Sequence, residues 1–171
     1  ASNNTGVGYN ALRDSTGGYN TAIGGFALTA DDVGSKTTAI GWGALQAQNY
    51  STATDSLNVA VGYNAAASVN TGTQSVIIGA HAADAVTTGT YNVAVGTYAL
   101  TDETTGQRTT AIGYGALSSQ NFTTSQISYN TAVGYNAGAA IGTGQSNTLV
   151  GYGAGDAITS GFANTAVGSA A

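Results

Sequence analysis

Short apolar bursts punctuate this chain at a near-constant interval, most of the form Thr/Val-Ala-Val/Ile-Gly, with an aromatic within two residues of the Gly in eight of ten copies and Ala three residues after it in all ten. Between bursts the sequence is polar, rich in Ser, Thr, Asn and Gly. The copy at Asn20-Thr21-Ala22-Ile23-Gly24-Gly25-Phe26-Ala27-Leu28 is representative. Its glycine recurs as Gly8, Gly24, Gly41, Gly62, Gly79, Gly96, Gly113, Gly134, Gly151 and Gly168, at intervals of 16, 17, 21, 17, 17, 17, 21, 17 and 17 residues. The two long intervals begin at Gly41 and Gly113, 72 residues apart, and their inserts match (Gln48-Asn49-Tyr50-Ser51-Thr52 against Gln120-Asn121-Phe122-Thr123-Thr124), which reads as duplication of a four-turn block.

The residue before each motif Gly is Val or Ile in all ten copies, and the one three before it is Thr in seven and Val in three. These β-branched residues favour strands. A period near 17 is too short for helical repeats, and a Gly beside β-branched residues would weaken a helix at its centre. The pattern predicts an all-β chain: a parallel β-solenoid or β-roll of about ten coils, in which each coil buries its apolar face against its neighbours. At about 4.8 Å per coil, ten coils make a rod roughly 48 Å long. We read residues 1–171 as one solenoid domain and as a segment of a longer fibre.

Three further positions recur. A second Gly stands seven residues before the first in most copies (Gly17, Gly34, Gly72, Gly89, Gly106, Gly144, Gly161), where we expect a tight corner of positive φ. Asn stands four before it in seven copies, so stacking predicts a ladder of side-chain amides donating from coil to coil. Ala stands three after it in every copy. Alternation along an extended motif groups Thr/Val, Val/Ile, the aromatic and this Ala on one side, and the Ala within the strand, Gly and, in five copies, Leu on the other. Both sides are largely apolar, so both are expected to be covered. A thin roll has one interior, and we therefore expect the flat Ala/Gly side (Ala22, Ala39, Ala60, Ala94, Ala111, Ala132, Ala166) to pack on another copy of the chain, in a homotrimer or an end-to-end filament.

The Asn-Thr-Ala-Val/Ile-Gly phrase, repeated along a Gly-, Ala-, Ser- and Thr-rich chain, resembles the β-roll head repeats of trimeric autotransporter adhesins. It is more similar still to the repeat regions of phage tail-fibre and related bacterial surface-fibre proteins. The resemblance covers essentially the whole chain. It implies trimeric parallel β-rolls that extend a fibre and present a binding surface, at the cell surface, outside the cell or on a virion.

Composition narrows the chemistry. Three Lys/Arg against eight Asp/Glu give a net charge of -5, and the scattered cations Arg13, Lys36 and Arg108 cannot form the basic stripe a nucleic-acid binder needs. With no Cys and no Met there is neither a disulfide framework nor a thiolate metal site. No run approaches the roughly 20 apolar residues of a membrane helix, and Ala1–Thr5 lack the pattern of a targeting signal. Leu, Ile, Val and Phe number 30 of 171, a share low enough to suggest disorder, but the low charge and the fixed spacing of the apolar residues argue against it.

Candidate sites are few. Gly34-Ser35-Lys36-Thr37 lacks the spacing of a phosphate-binding loop, and His81 stands in an aromatic slot shared with Phe26 and Tyr98 rather than as a base with Asp84. We expect no enzyme, no cofactor and no metal. Asp14, Asp31, Asp32, Asp84, Asp102, Glu103 and Asp156 follow the motif Gly by five to eight residues and are expected to form a solvated acidic edge. Tyr19, Tyr91 and Tyr129 share one position, and Tyr50 and Phe122 share another; exposed on a polar surface these rings would stack on sugars, while buried they would pack on the adjacent coil. Asn3, Asn49 and Asn121 head glycosylation sequons. The expected function is a structural and adhesive fibre segment that spaces and presents a face for a cell-surface glycan or receptor. The alternatives are an ice-binding β-solenoid, resting on the Thr ladder, and a self-assembling extracellular filament subunit without a receptor.

Overall fold

The computed structural model describes residues 3–171 and contains, among them, no helix and twelve short strands. These are β1 (Thr5–Val7), β2 (Thr21–Ile23), β3 (Gly34–Ser35), β4 (Thr38–Ile40), β5 (Thr54–Asp55), β6 (Val59–Val61), β7 (Val76–Ile78), β8 (Val93–Val95), β9 (Thr110–Ile112), β10 (Thr131–Val133), β11 (Thr148–Val150) and β12 (Thr165–Val167). All but β3 and β5 form one parallel ten-stranded sheet in chain order. The pairing is in register, with Thr21, Ala22 and Ile23 opposite Thr38, Ala39 and Ile40. The chain is thus a parallel β-solenoid of ten coils, as the spacing predicts.

Each three-residue strand stops at the motif Gly for two reasons. Its φ lies between 130° and 142°, a region closed to L side chains. A Cβ on Gly24 would also sit 2.6 Å from the carbonyl carbon of Gly41 in the next coil. The second Gly behaves differently from the expectation. None of Gly17, Gly34, Gly72, Gly89, Gly106, Gly144 and Gly161 has positive φ. What requires Gly at positions 72, 89 and 144 is close approach, since a Cβ there would collide with the carbonyl oxygen of the next coil's Gly89, Gly106 and Gly161.

The left-handed corners fall instead on residues with side chains. In nearly every coil they lie two after the motif Gly (Phe26, Asn64, His81), four after it (Leu28, Ala66, Leu100) and five before it (Tyr19, Gln74, Arg108), with φ between 46° and 62° across the non-Gly set. No Val, Ile or Thr occupies any of them, although these are common in the chain. A branched Cβ is what that conformation tolerates least.

The sheet faces the opposite way from the expectation. Ala22, Ala39, Ala60, Ala94, Ala111 and Ala132 are each 0% exposed, and Ala166 packs partly buried against the same core. They line the interior of the chain's own roll, so they are not an interface with another copy. In all but the last coil the interior also takes the Ala three after the motif Gly, and in most coils the Leu or Ala four after it. A thin roll has room for small residues there, and the large β-branched ones turn outward. Volume is balanced locally: where the central strand residue is Leu149, the residues facing it shrink to Gly138 and Gly155, and a Cβ on either would come within about 2.7 Å of a Leu149 methyl. Where it is Ile77, the matching residues are Ala66 and Ala83.

The expected asparagine ladder is present. Asn20 Nδ2 donates to the Gly34 carbonyl 2.8 Å away, and Asn20 Oδ1 accepts from the Thr37 N–H at 2.9 Å, so one buried amide clamps two coils. Asn58, Asn92, Asn130 and Asn147 repeat the donation to the Gly72, Gly106, Gly144 and Gly161 carbonyls.

Candidate functional site

Three features line the outside of the rod. The first is the outer face of the sheet, where in-register alternation projects the Thr/Val and Ile/Val of every strand. Ile23, Ile78, Ile112 and Val150 remain 37–40% exposed. No charged residue stands at either position in any coil.

The second is a ladder of nine rings beside that face: Tyr9, Phe26, Trp42, Tyr63, His81, Tyr98, Tyr114, Tyr135 and Tyr152, at centroid separations of 5.2–5.9 Å. Whether the ring stands one or two residues after the motif Gly, it enters the same column, because its partner position is small or polar (Gly25, Ala80 and Thr97, or Asn10, Gly43 and Asn64). Tyr114, Tyr135 and Tyr152 stack nearly parallel, within 10°. His81 fills its slot in this column between Tyr63 and Tyr98, while its Nδ1 lies 2.8 Å from Asp84 Oδ2. Along the column four ring pairs stack face to face and four meet edge to face.

The third is the row five residues before the motif Gly. Of the two alternatives for Tyr19, Tyr91 and Tyr129, exposed or packed on the adjacent coil, all three are exposed, but their neighbours differ. Arg108, which occupies the intervening coil, lies 5.5 Å from the Tyr91 ring centroid and 6.0 Å from that of Tyr129, and donates from a guanidinium nitrogen to the Tyr129 hydroxyl at 3.2 Å. Its counterpart 72 residues earlier, Lys36, turns instead to Asp55 at 2.6 Å, where the second half has Ile127. The Tyr19 ring stands at the edge of a recess of about 630 Å³ lined also by Gly17, Gly18, Ser35, Lys36 and Asp55.

Tyr50 and Phe122 are not surface rings. They are 7% and 1% exposed and plug the inserts from within, so they are unavailable for stacking on a ligand. The acidic edge is likewise corrected at two positions, since Asp31 and Glu103 are fully buried. They occupy equivalent coils, seven after the motif Gly, where Val69, Val86 and Ile141 point into the core in other coils. Each anchors a polar chain. Glu103 accepts from the Thr104, Thr105, Gly106 and Phe122 N–H groups at 2.9, 3.0, 2.6 and 3.3 Å and from Gln120 Nε2 at 2.9 Å. Gln120 continues to Thr109 and Asn130. Asp31 accepts from the Gly34 N–H at 3.1 Å and from Gln48 Nε2 at 3.2 Å. Burial raises the Asp31 carboxyl above its ordinary value, against the smaller opposing effect of those two hydrogen bonds. Burial also pushes the Tyr50 hydroxyl up, helped by the nearby Asp31 charge.

Of the sequons, Asn49 is exposed beside Asn70, Asn3 is exposed at a left-handed corner, and Asn121 is partly buried with its Oδ1 accepting from Thr104 Oγ1 at 3.0 Å. In the sequence Lys36 and Arg108 stand out only as scattered cations and Asp55 not at all; the swap of Lys36 and Asp55 for Arg108 and Ile127 between the duplicated blocks is the signal that marks them. Among the described residues no cluster of three or more His, Cys, Asp or Glu is arranged to hold a metal. Among the same residues no helix is long and apolar enough to cross a membrane. Comparison with family models, with curated proteins and with solved structures finds no match to this chain.

Proposed function

We propose that the chain is a structural and adhesive fibre segment, a rod that assembles with copies of itself and presents a binding surface outside the cell or on a virion. The observation that carries this reading is the uncharged strip of Thr/Val and Ile/Val along the outside of all ten strands. Continuous exposed apolar surface of this kind marks an interaction site. A second copy is the fitting partner, because its outer face has the same coil spacing and the same ladder of branched side chains, so ridges on one rod meet grooves on the other along their whole length. Three copies around a common axis would cover the strip on each. No catalytic role is assigned to any residue.

The experiment is a native mass measurement of the 171-residue chain beside Ile40→Asp/Ile78→Asp, which places charges on the strip and leaves the interior intact. The wild type should run as a trimer and the variant as a folded monomer. A monomeric wild type would sink the assembly. A second reading, ice binding, is favoured by the seven in-register Thr of the same face. Thermal hysteresis from the monomeric variant's parent would support it, and none would remove it.

A further inference from the structure

The duplication offers an internal control for the recess at Tyr19. Its counterparts 72 residues later are Gly89 for Gly17, Thr90 for Gly18, Gln107 for Ser35, Arg108 for Lys36 and Ile127 for Asp55. There the protein's own side chains take the space. Arg108 lies over Tyr91, and Gln107 Nε2 reaches across to Ser125 Oγ at 2.6 Å. In the first half Gly18 and Ser35 are small, Ser35 Oγ accepts from the Gly18 N–H at 3.0 Å, and Asp55 lines the recess. What remains open is a concave site with one 62% exposed aromatic ring and a Lys36–Asp55 pair, both half exposed.

We propose that this recess binds one neutral hexopyranose residue of a surface glycan. The inference deepens the adhesive part of the proposed function and rests on it. The C–H face of a pyranose stacks on a tyrosine ring, which is apolar on its face and polar at its tip. Adjacent ring hydroxyls both donate and accept, so one can accept from Lys36 Nζ while its neighbour donates to Asp55. Asp32 lies behind the lining residue Thr16, whose Oγ1 donates to the Asp32 carbonyl at 2.8 Å and carboxylate at 3.1 Å. Two carboxylates against one ammonium disfavour an acidic sugar. The sugar is therefore neutral, and its recognition is by shape and hydroxyl pattern.

The test is saturation-transfer NMR on the full chain with gluco-, galacto- and manno-configured trisaccharides, and a sialylated trisaccharide as the anionic control. At least one neutral trisaccharide should give signal. Gly18→Thr, which copies the residue already accommodated at position 90, should weaken that binding by about tenfold or more without moving the melting temperature, as should Tyr19→Ala. Tyr91→Ala should leave it unchanged. Silence from every neutral trisaccharide, signal from the sialylated one alone, or binding that survives Gly18→Thr would overturn the proposal. The native mass keeps the two ideas separate: a monomer that binds the sugar sinks the assembly only, and a trimer deaf to all neutral sugars sinks the recess only.

Discussion

The two 72-residue blocks are close to a matched pair, and they differ most in how they keep one acid inside. Glu103 has one more methylene than Asp31, and that reach lets its carboxylate collect four backbone N–H groups and a glutamine amide. Asp31 collects one backbone N–H and the amide of Gln48. The first block adds a hydroxyl the second lacks, since Tyr50 OH donates to the Gly72 carbonyl at 2.7 Å and Phe122 has no counterpart. Burying a carboxylate is costly unless donors replace the water it gives up. The same coil position can therefore hold Val69, Ile141 or an acid, provided the neighbouring backbone turns its N–H groups inward where the acid stands.

The comparison can be broken most severely at Glu103. Glu103→Ala strands five donors and should destabilise by about 3–5 kcal/mol, whereas Asp31→Ala strands two and should cost about 2 kcal/mol, read as the shift of the denaturation midpoint. Equal losses would mean that the extra donors contribute nothing. The next effect is on pH. Asp31 holds its proton more tightly folded than unfolded, so between its unfolded and folded values the native state binds more protons and stability falls as pH rises. The stabilisation is fully present below the unfolded carboxylate range and lost above the raised folded value. Melting temperatures taken on either side of that window should show wild type more stable on the acid side, and Asp31→Asn should flatten this part of the profile. The smallest change exchanges the plugs. Tyr50→Phe should cost about 1 kcal/mol, limited because Asn58 Nδ2 also serves the Gly72 carbonyl, while Phe122→Tyr should recover a comparable amount at Gly144; both follow from the net value of one buried hydrogen bond. A loss on both exchanges would show that packing, not the hydroxyl, separates the blocks.

Much of this architecture was legible in the sequence. The spacing of the motif glycines fixes the coils, and Asn20 and its relatives give the inter-coil clamp. Which side of the strand lies inside was not legible, because both sides are apolar and pattern alone cannot distinguish Ala22 between Thr21 and Ile23 as core or surface. The fold decides it: each strand turns its single middle residue inward, small in most coils, and leaves the two β-branched residues outside. The left-handed corners carry side chains as ordinary as Leu28 and Tyr19, and only the absence of Val, Ile and Thr from those three columns marks them. Asp31 and Asp32 are adjacent and chemically alike, yet one is buried and one exposed. The difference lies in the direction of Cβ, which no composition reveals. At the candidate site the rings are visible in the sequence, but the contact of Arg108 with Tyr91 and Tyr129 comes from the fold.

Because every strand pairs only with the coils directly above and below it, the backbone hydrogen bonds run along the rod. Pulled end to end, the chain would meet the load one rung at a time, each coil peeling off and releasing about 17 residues, roughly 55–60 Å of slack, before the next is engaged. Such a rod yields in steps rather than snapping.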